Sequence, residues 1–184
     1  IEGGAGFMGV VLLALIFALP VRAVAEPAQP GNPVPITIEA PDQNGTMQNL
    51  ETLSGENGLI LLFSRSLDWC PFCQAQALEW NSRAGHVRQL GYQIAVLTYD
   101  PVSDLGRFAE KNDIAYTLLS DPDSQIIKAF GIMNQKYDPG SRFYGIPHPT
   151  IFVINPEGEI TQRFDSEDYK NRPDVMTVLS KLEK

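Results

Sequence analysis

The stretch LILLFSRSLDWCPFC, residues 59–73, decides the fold. Its first five residues, 59–63, form a short apolar run that predicts a buried strand, whereas residues 74–90 contain helix formers and no proline. Cys70 and Cys73, the only cysteines among the 184 residues, are therefore expected at a strand-to-helix turn. Unpaired backbone N–H groups and the helix dipole favour a thiolate at such a turn. The sequence thus predicts a redox-active cysteine pair.

The positions of the two thiols suggest their roles. The first cysteine at a helix entry is the expected nucleophile, and the second can close a disulfide with it. We therefore assign Cys70 as the attacking thiol and Cys73 as the resolving thiol. The expected chemistry uses no cofactor other than the redox-active Cys70–Cys73 disulfide, and no metal.

Two other uses of a Cys-x-x-Cys pair stay open. Twelve residues separate Cys73 from His86, which matches part of a zinc-finger spacing. The other histidine, His148, is distant in sequence, and the second cysteine pair that structural zinc usually needs is missing. An inert structural disulfide is disfavoured because so short a loop gives little entropic stabilisation. Redox activity is the favoured interpretation.

The N-terminus carries an apolar segment, residues 7–19, followed by Pro20 and by small residues at Ala23 and Ala25. The segment is too short to span an ordinary bilayer, and the two alanines lie where signal peptidase reads the chain. We expect residues 1–25 to be a secretory signal peptide, truncated at its start, with an uncleaved anchor as the alternative. The expected location of the mature protein is the periplasm or the extracellular space.

Composition limits the partners. Without the leader the chain has the length of about one ordinary domain. Two cysteines at catalytic spacing imply a fold that is held by packing and a pair of sulfurs that is used chemically. The net charge of −8 argues against nucleic acid and anionic membrane surfaces as partners. Membrane contact is expected only through an uncleaved signal segment.

Strands alternate with helices along the rest of the chain. Residues 26–35 hold four prolines and predict an extended lead-in, so the domain is expected at 36–184. Strands are expected at 36–38, 47–50, 59–63, 92–98, 115–119, 150–154 and 159–164, and helices at 74–90, 100–112, 121–131 and 173–182. This order predicts an α/β sandwich with a mixed central sheet flanked by helices.

The order of elements, with WCPFC at the first strand-to-helix turn, resembles the thioredoxin fold over residues 33–184. Three further segments follow in order, DLGRFAEKNDI at 104–114, LLSDPD at 118–123 and KAFG at 128–131. Together they are similar to the peroxiredoxin family, of the alkyl hydroperoxide reductase and thiol-specific antioxidant type. The resemblance implies a thioredoxin-like redoxin domain with antioxidant activity and a part in cell redox homeostasis.

The sequence departs from the peroxiredoxin pattern before both thiols. The family's peroxidatic cysteine usually follows a proline by seven residues and a threonine by three. Before Cys70 these positions hold Phe63 and Leu67. Before Cys73 they hold Ser66 and Cys70. Because the groups that would polarise a peroxide are missing, we expect reduction of a disulfide to outpace reduction of a peroxide.

Four residues are expected beside the dithiol. Trp69 either shields the thiolate and offers a flat face to a partner or simply packs. Arg65 could lower the pKa of Cys70 or hold a peroxide oxygen, although a solvated arginine is the commoner case. The resemblance places Pro149 where the thioredoxin fold has a cis proline beside the dithiol. His148 would then lie nearby and act in proton transfer, although a lone histidine is more often a surface residue.

These observations predict a thiol-dependent oxidoreductase that acts on protein or small-molecule disulfides or on hydroperoxides, with an external thiol as reductant. One alternative is a peroxiredoxin-type peroxidase as the main activity. Another is a copper-handling module that uses both thiols and His148 as soft ligands. A third is a thioredoxin-fold interaction domain without catalysis.

Overall fold

The computed structural model describes residues 25–166 and 168–182. Its strands are β1 (Glu39–Pro41), β2 (Met47–Asn49), β3 (Gly58–Phe63), β4 (Tyr92–Thr98), β5 (Thr117–Ser120), β6 (Thr150–Ile154) and β7 (Ile160–Asp165). Its helices are α1 (Leu50–Leu53), α2 (Pro71–Gln89), α3 (Val102–Asn112), α4 (Gln125–Ala129) and α5 (Val175–Leu182). The signal peptide expected at residues 1–25 lies, apart from Ala25, outside the described residues.

Strands β3 to β7 form a mixed sheet in the order β5-β4-β3-β6-β7. β3 pairs in parallel with β4 and antiparallel with β6, and β4 pairs in parallel with β5. β6 and β7 form the antiparallel hairpin. The predicted α/β sandwich with a thioredoxin-like mixed sheet flanked by helices is confirmed. β1 and β2 form a separate antiparallel pair.

β3 is the central strand, and every one of its residues is buried. Successive side chains point to opposite faces of the sheet, so Ile60 and Leu62 enter one core with Cys73. Leu61 and Phe63 enter the other core. An uninterrupted apolar run is the pattern expected of a strand that is covered on both faces. The strand therefore ends inside the molecule and delivers the following loop to a buried site.

Most boundaries agree with the sequence patterns, and three segments differ. The helix expected at 121–131 is shorter, since α4 spans Gln125–Ala129 with Ser124 as its N-cap. The loop expected after residue 50 contains the short helix α1, whose N-cap Asn49 accepts a hydrogen bond from the Thr52 amide in a capping box. The first strand begins at Glu39, three residues later than expected. The extended lead-in packs against the domain: Gly31 donates to the carbonyl of Ile160. Within the described residues no helix is long and apolar enough to cross a membrane.

The bond between His148 and Pro149 is trans, because the described chain contains no cis peptide, and the expected cis proline is therefore wrong. Local hydrogen bonds show how this backbone is held. The His148 amide donates to the carbonyl of Ile132, and its own carbonyl accepts from the Thr150 hydroxyl. The His148 carbonyl thus has a hydrogen-bond partner within its own turn.

Candidate active site

The two cysteines lie at the start of α2. Cys70 is the N-cap residue, Pro71 occupies the first turn, and Cys73 completes that turn. The pair forms a disulfide with Cα atoms 5.3 Å apart. Both residues are buried, Cys70 at 2% and Cys73 at 0% exposure, so exposure does not separate their roles. The strand-to-helix placement that the sequence predicts is confirmed.

An arginine that the sequence analysis missed touches the disulfide. Arg172 lies between β7 and α5, and its Nη2 donates to Cys73 Sγ over 3.2 Å. Its Nη1 donates to Gln76 Oε1 at 2.7 Å, and its Nε donates to the carbonyl of Tyr169 at 3.0 Å. These contacts fix the guanidinium against the second cysteine. In the reduced protein, a thiolate at Cys73 would accept a charge-assisted hydrogen bond from it.

The electrostatics around the dithiol are positive. Burial and, to a smaller extent, the nearby charge of Arg65 lower the pKa of Arg172 to about 10, so the guanidinium stays charged at neutral pH. Among residues 25–166 and 168–182, the ion pairs between side chains involve Arg107 and Arg163, and neither Arg65 nor Arg172 takes part. A buried cation in hydrogen-bond contact with Cys73 favours a thiolate over a thiol there.

A buried carboxylate just after β4 holds the loop before Cys70 by hydrogen bonds. Asp100 accepts hydrogen bonds from the Ser66 hydroxyl at 2.8 Å, the Leu67 amide at 2.6 Å and the Thr98 hydroxyl at 2.9 Å. The Ser66 hydroxyl in turn accepts from the Trp69 amide at 3.2 Å. Burial raises the pKa of Asp100 above its ordinary value despite these bonds. The network sets the path of the chain into the dithiol.

Trp69 packs against the loop at 133–147 rather than standing free. Its indole Nε1 donates to the Tyr99 hydroxyl at 3.0 Å, and its ring lies edge-on to Phe143 with centroids 4.9 Å apart. The Tyr99 hydroxyl donates onward to the carbonyl of Arg142. The tryptophan therefore joins the dithiol loop to this long loop.

Arg65 is buried, contrary to the common solvated arginine, with 9% exposure. Its guanidinium carbon lies 5.1 Å from the ring centroid of Trp69 and 4.3 Å from that of Tyr169. Arg65 also lines a cavity of about 240 Å³ together with His148 and Pro149, which we name the Arg65 cavity. Of the four expected neighbours of the dithiol, Arg65, His148 and Pro149 thus line one cavity, and Trp69 contacts Arg65. His148 is exposed at the cavity wall.

A second cavity, of about 450 Å³, lies on the other flank of Trp69, and we name it the acidic cavity. Its lining includes the carboxylates Asp68, Asp100 and Asp104. No group of three or more His, Cys, Asp or Glu side chains in the described part of the chain is arranged to hold a metal ion. The acidic side chains here therefore form a polar wall.

Comparisons with known proteins agree with this geometry. The model of the AhpC/TSA family matches residues 30–163. The chain belongs to the AhpC/TSA family. It is 32% identical to Peroxiredoxin Bcp of Escherichia coli K12 over 136 residues, which are 74% of this chain and 85% of that protein. It is 28% identical to Peroxiredoxin Bcp of Xanthomonas campestris pv. campestris over 118 residues, 64% of this chain and 72% of that protein.

Comparison with solved structures agrees with this family assignment. The crystal structure of Peroxidoxin BcpB from Mycobacterium tuberculosis superposes with a TM-score of 0.72 at 25% identity, covering 84% of this chain and 96% of that one. This AhpC/TSA member is a thiol-dependent oxidoreductase with a redox-active Cys-x-x-Cys that acts on disulfides or peroxides. The predicted family, fold and enzyme class are confirmed.

Proposed function

We propose that this enzyme reduces hydroperoxides and that the Cys73 thiolate is the group that attacks them. The contact of Arg172 with Cys73 Sγ carries the proposal, because it places a fixed cation on the second cysteine, whereas no cation donates to Cys70 within the described part of the chain. A guanidinium there lowers the thiol pKa and can donate to the departing peroxide oxygen. It supplies positive charge at a site where the proline and threonine of the peroxiredoxin pattern are missing.

Oxidation of the enzyme by the hydroperoxide proceeds in two steps. The Cys73 thiolate attacks the terminal oxygen of the hydroperoxide, the O–O bond breaks, and the alkoxide leaves as an alcohol after taking a proton. Cys73 is then a sulfenic acid. Cys70 attacks its sulfur, water leaves, and the disulfide seen in the structure forms. An external dithiol returns both cysteines to thiols and is itself oxidised to a disulfide.

This cycle reverses the roles that the sequence suggests for the first half of the reaction. Cys70 keeps its role in thiol–disulfide exchange, because an incoming thiolate that attacks Cys70 Sγ expels Cys73 as the thiolate facing Arg172. A leaving thiol with a lower pKa departs faster. The names of the curated relatives, both called peroxiredoxins, support peroxide as the oxidant.

Reduction of a disulfide substrate is the second candidate activity. It is favoured by the N-cap position of Cys70, where a helix dipole activates a thiol without any peroxide pocket. Such a reaction would begin with Cys70 attacking the disulfide and end with Cys73 displacing the product.

Two single variants distinguish these cycles. Each of Cys70→Ser and Cys73→Ser is reduced, treated with one equivalent of hydrogen peroxide and trapped with a sulfenic-acid reagent for mass analysis. We expect Cys70→Ser to accumulate sulfenic acid on Cys73, whereas Cys73→Ser reacts at the rate of an unactivated thiol. A sulfenic acid that accumulates on Cys70 in Cys73→Ser, with Cys70→Ser silent, would return the attack to Cys70.

We also propose that the mature protein works in the periplasm or outside the cell. The support is the apolar segment at residues 7–19 followed by Ala23 and Ala25. Fractionation of cells that express the natural gene product, with N-terminal sequencing, tests this. Recovery of an uncut protein from the cytosol would contradict it.

A further inference from the structure

The wall of the Arg65 cavity has more cationic than anionic side chains among the described residues. Among the described residues of its wall, Arg65 and Lys136 are the cationic side chains and Asp168 is the one carboxylate. Asp168 forms no ion pair with Arg65 within the described residues, and its carboxylate accepts from the Lys170 amide. This local excess of positive charge is notable in a chain with a net charge of −8.

The Nε of Arg65 is sealed from solvent and has no hydrogen-bond partner among the described residues. The rings of Trp69 and Tyr169 lie against the guanidinium. A buried donor without an acceptor is unusual, because burying a polar group without a partner is costly. An arginine held in this state, nine-tenths buried at a cavity wall, is prepared for an anion with two oxygens.

Two aromatic contacts connect the wall of the cavity to the dithiol segment. Arg65 contacts Trp69, which precedes Cys70 directly in the chain. Tyr169, which lines the cavity, contacts the ring of Phe72, the residue directly before Cys73, with centroids 5.7 Å apart. A molecule that touches Arg65 and Tyr169 is therefore one side chain away from the residue that precedes each cysteine.

We propose that the Arg65 cavity binds the carboxylate of a small molecule that reacts with the dithiol, and that Arg65 is its principal ligand. The volume of about 240 Å³ fits a carboxylate on a short chain. The acidic cavity on the other flank of Trp69, with its three aspartates, would repel the same group. The inference rests on the proposed thiol chemistry and names its substrate class: a carboxylated oxidant or a carboxylated thiol reductant.

Binding is tested first, on the oxidised full-length chain and without turnover. Butyrate and its neutral isostere butyramide are titrated by calorimetry and by amide NMR. Butyrate binds with shifts around Arg65 and Tyr169, and butyramide binds about tenfold more weakly or not at all. Arg65→Gln loses butyrate binding by about tenfold, and Lys136→Gln, at an exposed site, by a smaller factor. Arg142→Gln, which removes a cation over Trp69 outside this cavity, leaves binding unchanged.

Equal binding of butyrate and butyramide to the wild-type protein, or no binding of either, overturns the proposal without any variant. Unchanged butyrate affinity in both Arg65→Gln and Lys136→Gln overturns it as well.

Two matched pairs of reactants identify the source of the carboxylate. Monoperoxysuccinate is compared with peroxybutanoate as oxidant, and 3-mercaptopropionate is compared with 3-mercaptopropionamide, at equal thiolate concentration, as reductant. The carboxylated member of one pair reacts faster, and Arg65→Gln removes that preference while Arg142→Gln keeps it. If neither pair shows a preference, the proposal is overturned. Hydrogen peroxide, which has no carboxylate, separately tests the proposed function. If the enzyme reduces hydrogen peroxide fast but shows no preference for either carboxylated reactant, this inference alone is overturned. If it reduces hydrogen peroxide slowly but prefers 3-mercaptopropionate to its amide, the peroxidase proposal alone is overturned.

Discussion

At the scale of single residues, Arg172 and Asp100 hold the two sides of the dithiol. Arg172 reaches Cys73 across 99 positions of sequence, from the segment between the hairpin and the last helix. Asp100 reaches Leu67 across 33 positions. Neither contact has a local sequence signal. The helix expected from residue 100 begins at Val102 with Pro101 as its N-cap. The Asp100 carboxylate instead holds the loop that leads to Cys70.

Replacing Arg172 by Gln is expected to raise the pKa of the Cys73 thiol by about one to three units, because it removes a cation in hydrogen-bond contact with the sulfur. The pH dependence of thiolate absorbance in a Cys70→Ser background measures this pKa. Arg107→Gln, which removes an exposed surface arginine, is the matched control. An Arg172→Gln thiol that titrates like the parent would remove Arg172 from the site.

Asp100 predicts a pH dependence of stability. Burial raises its pKa in the folded protein above the ordinary 3.8. Between these two values the folded protein binds more protons than the unfolded chain, so the free energy of unfolding contributed by Asp100 falls as the pH rises through this window. Asp100→Asn lacks this titration and is also destabilised by about 1–3 kcal/mol, because the amide accepts fewer hydrogen bonds.

Urea unfolding at several pH values between 3.8 and neutrality measures the effect of Asp100. The free energy of unfolding of the wild type, relative to that of Asp100→Asn, is expected to fall as the pH rises through this window. Asp123→Asn, an exposed neighbour of α4, serves as the control and is expected to parallel the wild type. Parallel curves for Asp100→Asn and the wild type would mean that Asp100 does not titrate in this window.

At the scale of elements, the sequence predicts β3, β4, β6 and most of α2 because each has a strong local pattern. β4 is found at Tyr92–Thr98, as expected from its apolar run. α1 was missed because four residues are too few for a periodic pattern, although the Asn49 to Thr52 capping box marks its start. The trans bond before Pro149 was missed because the resemblance, and not the residues themselves, predicted cis.

Two glycines test the local packing of the elements in opposite directions. A Cβ at Gly85, in the interior of α2, would contact nothing within 4 Å, so Gly85→Ala is expected to stabilise the protein by about 0.5–1 kcal/mol. Gly58 begins β3 at a φ of +119°, and a Cβ there would collide with the carbonyl of Ile154 on β6. Gly58→Ala is therefore expected to destabilise the protein by at least about 1 kcal/mol. Thermal unfolding measures both, and changes of the same sign would contradict the packing described for β3 and β6.

At the scale of the whole molecule, the mixed sheet gathers a thiol pair, a fixed cation and two cavities of opposite charge at one place. The carboxyl end of β3 delivers the loop and the N-terminus of α2. The end of β4 supplies Asp100, and the segment after β7 supplies Arg172. The fold class and the cysteine pair follow from the sequence. The cation beside Cys73, Arg172, follows only from the tertiary structure.

Stopped-flow oxidation of the reduced protein by hydrogen peroxide, compared at equal concentration with oxidation by a small disulfide, tests the claim that this enzyme is a peroxidase. We expect that peroxide reacts faster, that the product is lighter by two hydrogens, and that Arg172→Gln slows the peroxide reaction by about tenfold or more at neutral pH. Disulfide exchange that outruns peroxide oxidation, at a peroxide rate unchanged in Arg172→Gln, would contradict the claim and leave the enzyme a disulfide reductase.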